Sequence, residues 1–312
     1  MEKLLALRMG GRMRAHRFNW RNIRNELLGR SMVTACGLLI IVLTLFLVLF
    51  ITSQGIALFR DNGVSLTEFL LSTSWHPDRI DNPQVGAAVF IVGSIVISLL
   101  ALLISTPISV ALAIFMTEIS PGLGQRFLQP AIEIFVGIPS VVYGWMGLSV
   151  LVPFIKNYIG GMGFSVLAGG LVLALMIFPT IASIAADTLR SLPGHYKEAS
   201  LGLGATRWQT IRLILLPSAV PGILTGVVLG LARAFGEALA VQMVIGNSVR
   251  IADALLKPTI NLTSIMTMDM GNTVMGTMWN NALWSMALLL LLISFCFILL
   301  IRRLGAKGAM VK

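Results

Sequence analysis

Six long apolar segments decide what this chain can fold into. Each is long enough to cross a bilayer as a helix, which takes about 20 apolar residues, and a helix satisfies its own backbone hydrogen bonds inside lipid. Only 12% of the residues are charged, against about 25% in soluble domains. The pattern predicts an all-α membrane protein with six transmembrane helices. The segments are 33–54, 86–117, 129–155, 164–186, 219–246 and 280–301.

The second segment is too long for one helix that stands perpendicular to the membrane. Pro107 and the polar pair Ser105-Thr106 lie within it, and proline removes a backbone donor from a helix. We therefore expect either a break at this point or an extension of the helix beyond the membrane.

Basic residues predict the orientation of the chain. With the N-terminus inside, the segments 1–32, 118–128, 187–218 and 302–312 face the cytoplasm, and they hold 17 of the 23 Lys and Arg residues. Positive residues concentrate in short cytoplasmic loops, so the chain is predicted to be N-in and C-in. The net charge of +10 then reflects topology and contact with anionic membrane lipid, and nucleic acid is not expected as a partner.

This organisation divides the chain into three parts. Residues 1–32 are predicted to form a basic cytoplasmic segment, residues 33–303 the transmembrane domain, and residues 304–312 a cytoplasmic tail. Residues 187–218 form a polar cytoplasmic loop within the domain. No metal site is expected, because the three histidines are scattered over loops at His16, His76 and His195.

The loop at 187–218 carries an ordered pattern of small and apolar residues. Its specified positions are Glu198, Ala199, Ser200, Gly204, Ile214, Leu216 and Pro217. The small side chains allow the backbone to lie close to a partner surface, and Gly204 tolerates the backbone angles of a sharp bend. We expect two short helices joined at Gly204, with Glu198 near the start of the first and Pro217 ending the segment.

This pattern resembles the coupling-loop signature of ABC-importer permeases, which reads E-A-A, three residues, G, nine residues, I, one residue, L-P. Ser200 is the one departure, a small residue in place of alanine. The resemblance implies a type I ABC-importer permease fold in a bacterial inner membrane, driven by an ATPase on another chain. The sequence has no G-x-x-x-x-G-K-[ST] loop, so we expect a non-catalytic chain without a cofactor, with ATP and Mg²⁺ on partner ATPase subunits.

The fifth segment contains two charges within its apolar run. Small residues recur at every fourth position and form a seam for close helix packing, at Gly222, Gly226, Gly230 and Ala234. At about 100° per helical residue, Arg233 and Glu237 fall in the same arc as the seam. Ionised groups inside a membrane mark a pathway by default. We expect Arg233 to meet a passing oxyanion and Glu237 to hold the Arg233 side chain; the alternative is a structural ion pair.

The third segment contains two residues that favour a kink. Gly137 and Pro139 are tolerated in a membrane helix where neighbouring groups satisfy the freed backbone. We expect them to bend the helix beside the pathway, and a freed backbone N–H there is a candidate contact for an anion.

Three segments resemble the PstC-type membrane subunit of phosphate ABC importers. They are GLARAFGEALAVQMVIGN (Gly230–Asn247), GIPSVVYG (Gly137–Gly144) and Trp75-His76-Pro77. The resemblance implies a permease that translocates inorganic phosphate as a heterodimer with a PstA-type permease. It further implies two PstB-type ATPase subunits and a periplasmic PstS-type phosphate-binding protein.

Other functions stay open on the sequence. The PstA-type sister subunit shares G-I-P-S and the coupling loop, although it usually continues R-A-x-G-E with T-A-P. The coupling loop does not specify the substrate, so a permease for another oxyanion, such as sulfate or molybdate, is a second alternative. A membrane scaffold in phosphate-responsive signalling is a third, disfavoured because the cytoplasmic segments are too short for a catalytic or receiver domain.

Overall fold

A computed structural model describes the backbone of residues 20–79 and 81–310, and the side chains of residues 28–79 and 81–303. Most of the predicted basic N-terminal segment, with His16, and the end of the predicted tail lie outside these residues. The long helices are α1 (Trp20–Asp61), α3 (Ala88–Ile114), α8 (Val166–Ser191), α11 (Leu216–Gly236) and α14 (Met278–Met310).

Short helices and one small hairpin connect the long helices. The short helices are α2 (Leu66–Leu71), α4 (Pro121–Leu123), α5 (Gln129–Gly137), α6 (Ser140–Met146), α7 (Val152–Phe154), α9 (Gly194–Gly202), α10 (Arg207–Thr210), α12 (Leu239–Ile245) and α13 (Leu262–Asp269). The strands β1 (Trp75–His76) and β2 (Gln84–Val85) pair antiparallel, with Trp75 opposite Val85. The all-α prediction is therefore confirmed, apart from this hairpin.

Backbone contacts divide the chain into two units, Met1–Phe50 and Ile51–Lys312. In the first, the side chains of residues 28–49 of α1 are exposed, and most of them are apolar. The second contains every other element and all of the buried hydrophobic clusters among the described residues.

Among the described residues, five helices are long and apolar enough to span a membrane, and the number is six if one bent pair of helices is counted as a single span. The bent pair consists of Pro121–Gly137 and Ser140–Ile159, which meet at 95°. Ile138 is extended, with φ −68° and ψ 128°, because a residue before proline is disfavoured in helical geometry. The kink predicted at Gly137 and Pro139 is thus confirmed, and it is a full interruption of the helix.

The second span is not broken at Pro107. Its helix runs without interruption over Ala88–Ile119, 32 residues in all, and at 1.5 Å per residue it is about 48 Å long. The expected break is therefore wrong, and the alternative, an extension beyond the membrane, fits the length. The extension ends in a π-helical turn, Phe115–Ile119.

The fifth span differs from the sequence prediction at both ends. Pro217 does not end the coupling segment, because it lies inside one continuous helix over Arg207–Gly236. A π-helical turn at Ile211–Leu215 precedes it, and Pro217 lies in the first turn of α11, where proline is tolerated. At the other end the helix stops at Gly236, so the predicted span 219–246 is divided into α11 and α12.

Helix α8 forms the centre of the second unit. It packs between α3 and α11, and residues of all three helices share one buried cluster that includes Ile97, Ile177, Ile181 and Val227. A Cβ atom at Gly230 would lie 2.8 Å from Ile181 Cγ1, and one at Gly226 would lie 3.2 Å from Ile184 Cβ. The small-residue seam predicted on the fifth span is therefore the surface that contacts α8.

A second cluster lies around the hairpin, α13 and the start of α14. Trp75 and Phe90 pack edge to face with ring centroids 5.3 Å apart. The indole N–H groups of Trp75 and Trp279 both donate to Asp269 Oδ2, at 3.4 Å and 3.2 Å. One carboxylate therefore joins the hairpin to the first turn of α14.

We expect Gly230→Ala to lower the free energy of unfolding by about 2 kcal/mol, because the added methyl overpacks the contact with Ile181. The matched control is Gly37→Ala, a helical glycine in α1 with no neighbouring atom within 4 Å of an added Cβ. The control should keep or gain stability through its helix propensity. Thermal unfolding in detergent measures both, and equal shifts would contradict the close-packing role.

Burial raises the pKa of the Asp269 carboxyl, and the hydrogen bonds from Trp279 and Trp75 oppose this in part. A raised folded-state pKa favours the neutral acid, so its stabilising contribution is complete below the unfolded pKa and is lost as pH rises through the folded one. We therefore expect the wild type to gain thermal stability relative to Asp269→Asn as pH falls from about 7 to about 4. A difference that does not change with pH would refute this.

Candidate functional site

The last turn of α11 holds a half-buried cation. Arg233 Nη1 donates to Thr180 Oγ1 on α8, at 3.3 Å. Both residues are partly buried, and Ala234 beside Arg233 belongs to the buried cluster with α8. The side chain thus points toward a neighbouring helix, as the arc of the seam predicts.

Glu237 lies outside the helix that carries Arg233. It has ψ 124° after the end of α11, its Oε1 accepts from the Ala240 N–H at 3.1 Å, and its carbonyl accepts from Thr263 Oγ1 at 2.7 Å. Within the described part of the chain, no ion pair joins it to Arg233. The predicted contact between the two charges is wrong in this structure, because it assumed a helix that continues past Gly236.

The interruption of the third span lies next to the segment that follows Glu237. Tyr143 is buried, and its hydroxyl donates to the Phe135 carbonyl at 2.7 Å, so it ties α6 to α5 across the break. Close packing of α6 on α12 brings the elements together, since a Cβ at Gly144 would lie 2.9 Å from Ala240 Cα.

The fold therefore brings two helix interruptions close to each other. Gly137 and Pro139 form the first interruption and are exposed, and Glu237 forms the second. The sequence identified Arg233, Glu237, Gly137 and Pro139 but missed Thr180 and Tyr143. A hydroxyl in an apolar helix is too common a feature to single out without its contacts.

The second region of interest is the loop between α8 and α11. Gly204 has φ +84°, a left-handed conformation that favours glycine, and it lies between α9 and α10 as predicted. Its N–H donates to the Leu201 carbonyl, and the Ala205 N–H to the Ser200 carbonyl, which closes the end of α9. Thr206 and Gln209 then form a reciprocal capping box that starts α10.

The signature residues take different environments in this loop. Glu198 and Ala199 are exposed, and Glu198 is in the second turn of α9, which starts at Gly194; the expected position near the helix start is wrong. Ile214, Leu216 and Pro217 are partly buried along the continuous helix.

Ser200 is more than a neutral replacement for alanine. It is buried, and its hydroxyl lies 2.9 Å from the hydroxyl of Thr210. This hydrogen bond joins α9 to α10 across the bend at Gly204. The one departure from the coupling-loop signature therefore has its own hydrogen-bond partner, and the two hydroxyls hold α9 and α10 together at the bend.

An ion pair that the sequence did not reveal connects this loop to the second span. Lys197 Nζ lies 2.7 Å from Glu118 Oε2, and the Glu118 side chain is only 12% exposed. Glu118 is in the π-helical turn at the end of the extension of α3. The two residues are 79 positions apart, so no local pattern could pair them.

The loop also presents apolar side chains to its surroundings. Leu203 is 90% exposed and Trp208 is 60% exposed, and Tyr196, Leu201 and Leu213 are exposed as well. Large exposed apolar patches mark surfaces of interaction. The loop can therefore bind a partner while Lys197 and Ser200 connect it to the helices behind.

We expect Glu118→Lys and Lys197→Glu each to raise amide hydrogen exchange in α9 by about threefold to fivefold, since a partly exposed ion pair contributes at most about 1 kcal/mol. The double variant Glu118→Lys with Lys197→Glu should restore protection by reversing the pair. Lys257→Glu, which breaks an exposed pair elsewhere, is the control. Additive losses in the double variant would show that the pair does not anchor α9.

Comparison with known proteins identifies the family to which the chain belongs. Residues 105–307 match the family "Binding-protein-dependent transport system inner membrane component". A probable ABC transporter permease, YqgH of Bacillus subtilis, is 52% identical over 91% of this chain and 92% of its own length. The phosphate transport permease PstC of Xylella fastidiosa is 36% identical over 77% and 78%, and that of Haemophilus influenzae is 35% identical over 78% and 82%.

Solved structures show the same fold at low sequence identity. A bacterial alginate ABC transporter aligns with TM-score 0.60 at 15% identity, over 92% of this chain and 97% of that chain. The inward-facing MetNI methionine ABC transporter aligns with TM-score 0.52 at 23% identity, over 69% and 91%. The predicted permease fold is thus confirmed. The chain is a multi-pass inner-membrane protein that belongs to the binding-protein-dependent transport system inner membrane component family, as a PstC-type permease of an ABC importer.

Proposed function

We propose that this permease translocates inorganic phosphate, as one half of a heterodimer with a PstA-type permease. Two PstB-type ATPase subunits would bind ATP and Mg²⁺ and supply the energy, and a PstS-type protein would deliver phosphate on the periplasmic side. The N-in and C-in orientation would place the α9–α10 loop in the cytoplasm beside the ATPases. Relatives named PstC at 35–36% identity support this assignment.

The observation that carries the proposal is that Arg233 has no carboxylate partner among the described residues. Its only side-chain partner in the described part of the chain is the neutral hydroxyl of Thr180, so no carboxylate cancels its charge there. An unneutralised cation inside a membrane protein is costly unless a mobile anion or water compensates it. Guanidinium offers a planar set of donors that matches phosphate oxygens, and most of these donors remain available.

Coupling to the ATPases follows from the continuous helix. At 1.5 Å per residue, the 30 residues of Arg207–Gly236 form a helix about 45 Å long that starts in the coupling loop and carries Arg233 in its last turn. Lys197 adds a second connection, from α9 to the end of the second span. Movement of the loop would therefore displace the fifth span and the end of the second span together.

Another oxyanion is the second candidate substrate, and one finding favours keeping it. The relative with 52% identity is named only a probable ABC transporter permease, without a substrate. A guanidinium in a helix bundle recognises charge and oxygen geometry, which sulfate and molybdate share. Competition between phosphate and sulfate for uptake by the reconstituted complex separates the two, and uptake that sulfate blocks at equal concentration would reject the phosphate assignment.

We expect Arg233→Gln to reduce phosphate uptake by about a hundredfold, because a charge-assisted interaction with the anion is lost in a poorly hydrated site. Arg233→Lys should recover only part of the activity, since ammonium lacks the planar fork. Arg302→Gln, an exposed arginine at the end of the last span, is the control. Uptake in vesicles with equal amounts of assembled complex measures all three, and normal kinetics for Arg233→Gln would exclude a pathway role.

A further inference from the structure

Helix α13 is fixed at its N-terminal end against the second span. The Leu262 N–H donates to Ser94 Oγ on α3 at 2.9 Å. Asn261 caps the helix by accepting from the Ser264 N–H at 2.9 Å. Residues 261–265 are all buried, so this end of α13 has a single well-defined position in the packed core.

The C-terminal end of α13 is fixed as well. Asp269 accepts hydrogen bonds from the indoles of Trp75 and Trp279, which belong to the hairpin and to α14. Helix α13 is therefore held at both ends by elements that are distant in sequence, and its middle cannot shift independently of them.

Thr263 uses this fixed position to hold the interruption after α11. It is only 6% exposed, and its hydroxyl donates to the Glu237 carbonyl at 2.7 Å. With the carbonyl held there and the carboxylate capping the Ala240 N–H, Glu237 is fixed at both its backbone and its side chain.

The position of Glu237 decides the charge of the site. If α11 continued as a helix, Glu237 would follow Arg233 by four residues, on the same helix face, and within reach of an ion pair. Such a pair would cancel the positive charge that an anion needs. The interruption instead keeps the Glu237 carboxylate on the Ala240 N–H. The positive charge of Arg233 is therefore not neutralised by Glu237.

We propose that Thr263 is a positioning residue for the anion site. By holding the Glu237 carbonyl, it maintains the interruption that prevents Glu237 from neutralising Arg233. This inference rests on the proposed function, since it assigns the site to a transported anion. Its consequence is specific: loss of the Thr263 hydroxyl weakens binding of the anion, and it does so only while residue 237 carries a negative charge.

The test measures phosphate uptake by the reconstituted complex as KM and maximal rate. Thr263→Val removes the hydroxyl and nearly keeps the shape, and we expect a rise in KM of about threefold to tenfold, the effect of one lost hydrogen bond. Thr263→Ser keeps the hydroxyl and should restore the wild-type KM. Thr267→Val is the matched control, because the Thr267 hydroxyl bonds only to the Thr263 carbonyl of its own helix.

The decisive variant combines Thr263→Val with Glu237→Gln. Glutamine still offers an amide oxygen to the Ala240 N–H but cannot neutralise Arg233, so Thr263→Val should change KM by less than about twofold in that background. An equal rise in KM in both backgrounds would overturn the inference, as would a Thr263→Val variant that behaves like Thr267→Val. If Thr263→Val does not assemble, the smaller Thr263→Ala takes its place with the same expectations.

The wild-type complex separates this inference from the function on which it rests. Absence of phosphate uptake by the wild type would refute the proposed function itself. Uptake by the wild type together with unchanged KM in the Thr263 variants would refute only the role of Thr263.

Discussion

Close contact between α8 and its two neighbours is the interaction on which the rest of the structure depends. The hydrophobic effect does not drive helices together within lipid. They associate where small residues allow backbones and side chains to pack closely. Gly226 and Gly230 provide that surface on α11, and Ile181 and Ile184 of α8 fill it. The same contact places Arg233 within hydrogen-bonding distance of Thr180, so packing and the charged site share one origin.

The functional geometry comes from places where the helices stop. Gly137 to Pro139 interrupts the third span, and Glu237 separates α11 from α12. Backbone groups freed by such breaks must find partners inside the protein, and the Tyr143 and Thr263 hydroxyls supply two of them. Two irregular segments are thereby held in place, and the second follows the last turn of α11, which carries Arg233. A continuous bundle of the same sequence would bury Arg233 against Glu237 instead.

The loop between α8 and α11 joins this centre to a partner-binding surface. Leu203 and Trp208 are exposed in this loop. The Ser200–Thr210 hydrogen bond joins α9 to α10, and the Lys197–Glu118 ion pair connects α9 to the end of the second span. Under the proposed function, a loop that is anchored to the helices would transmit displacement, whereas an unanchored one would absorb it. The unbroken helix from Arg207 to Gly236 would carry that displacement to the charged site.

Periodicity and composition determined the all-α class, five to six candidate spans, the kink at Gly137 and Pro139, the seam on the fifth span and the bend at Gly204, because each follows from local backbone physics. They failed at Pro217, which lies inside a continuous helix after a π-helical turn. At Pro107 they left two alternatives open, and the continuous helix there fits the extension and not the break. They failed again at Glu237, since a helix that pattern alone would extend is ended by contacts with α12 and α13. Pairings such as Lys197 with Glu118 and Thr263 with Glu237 were decided only by the tertiary structure, because they join residues whose separation in sequence carries no information about their distance.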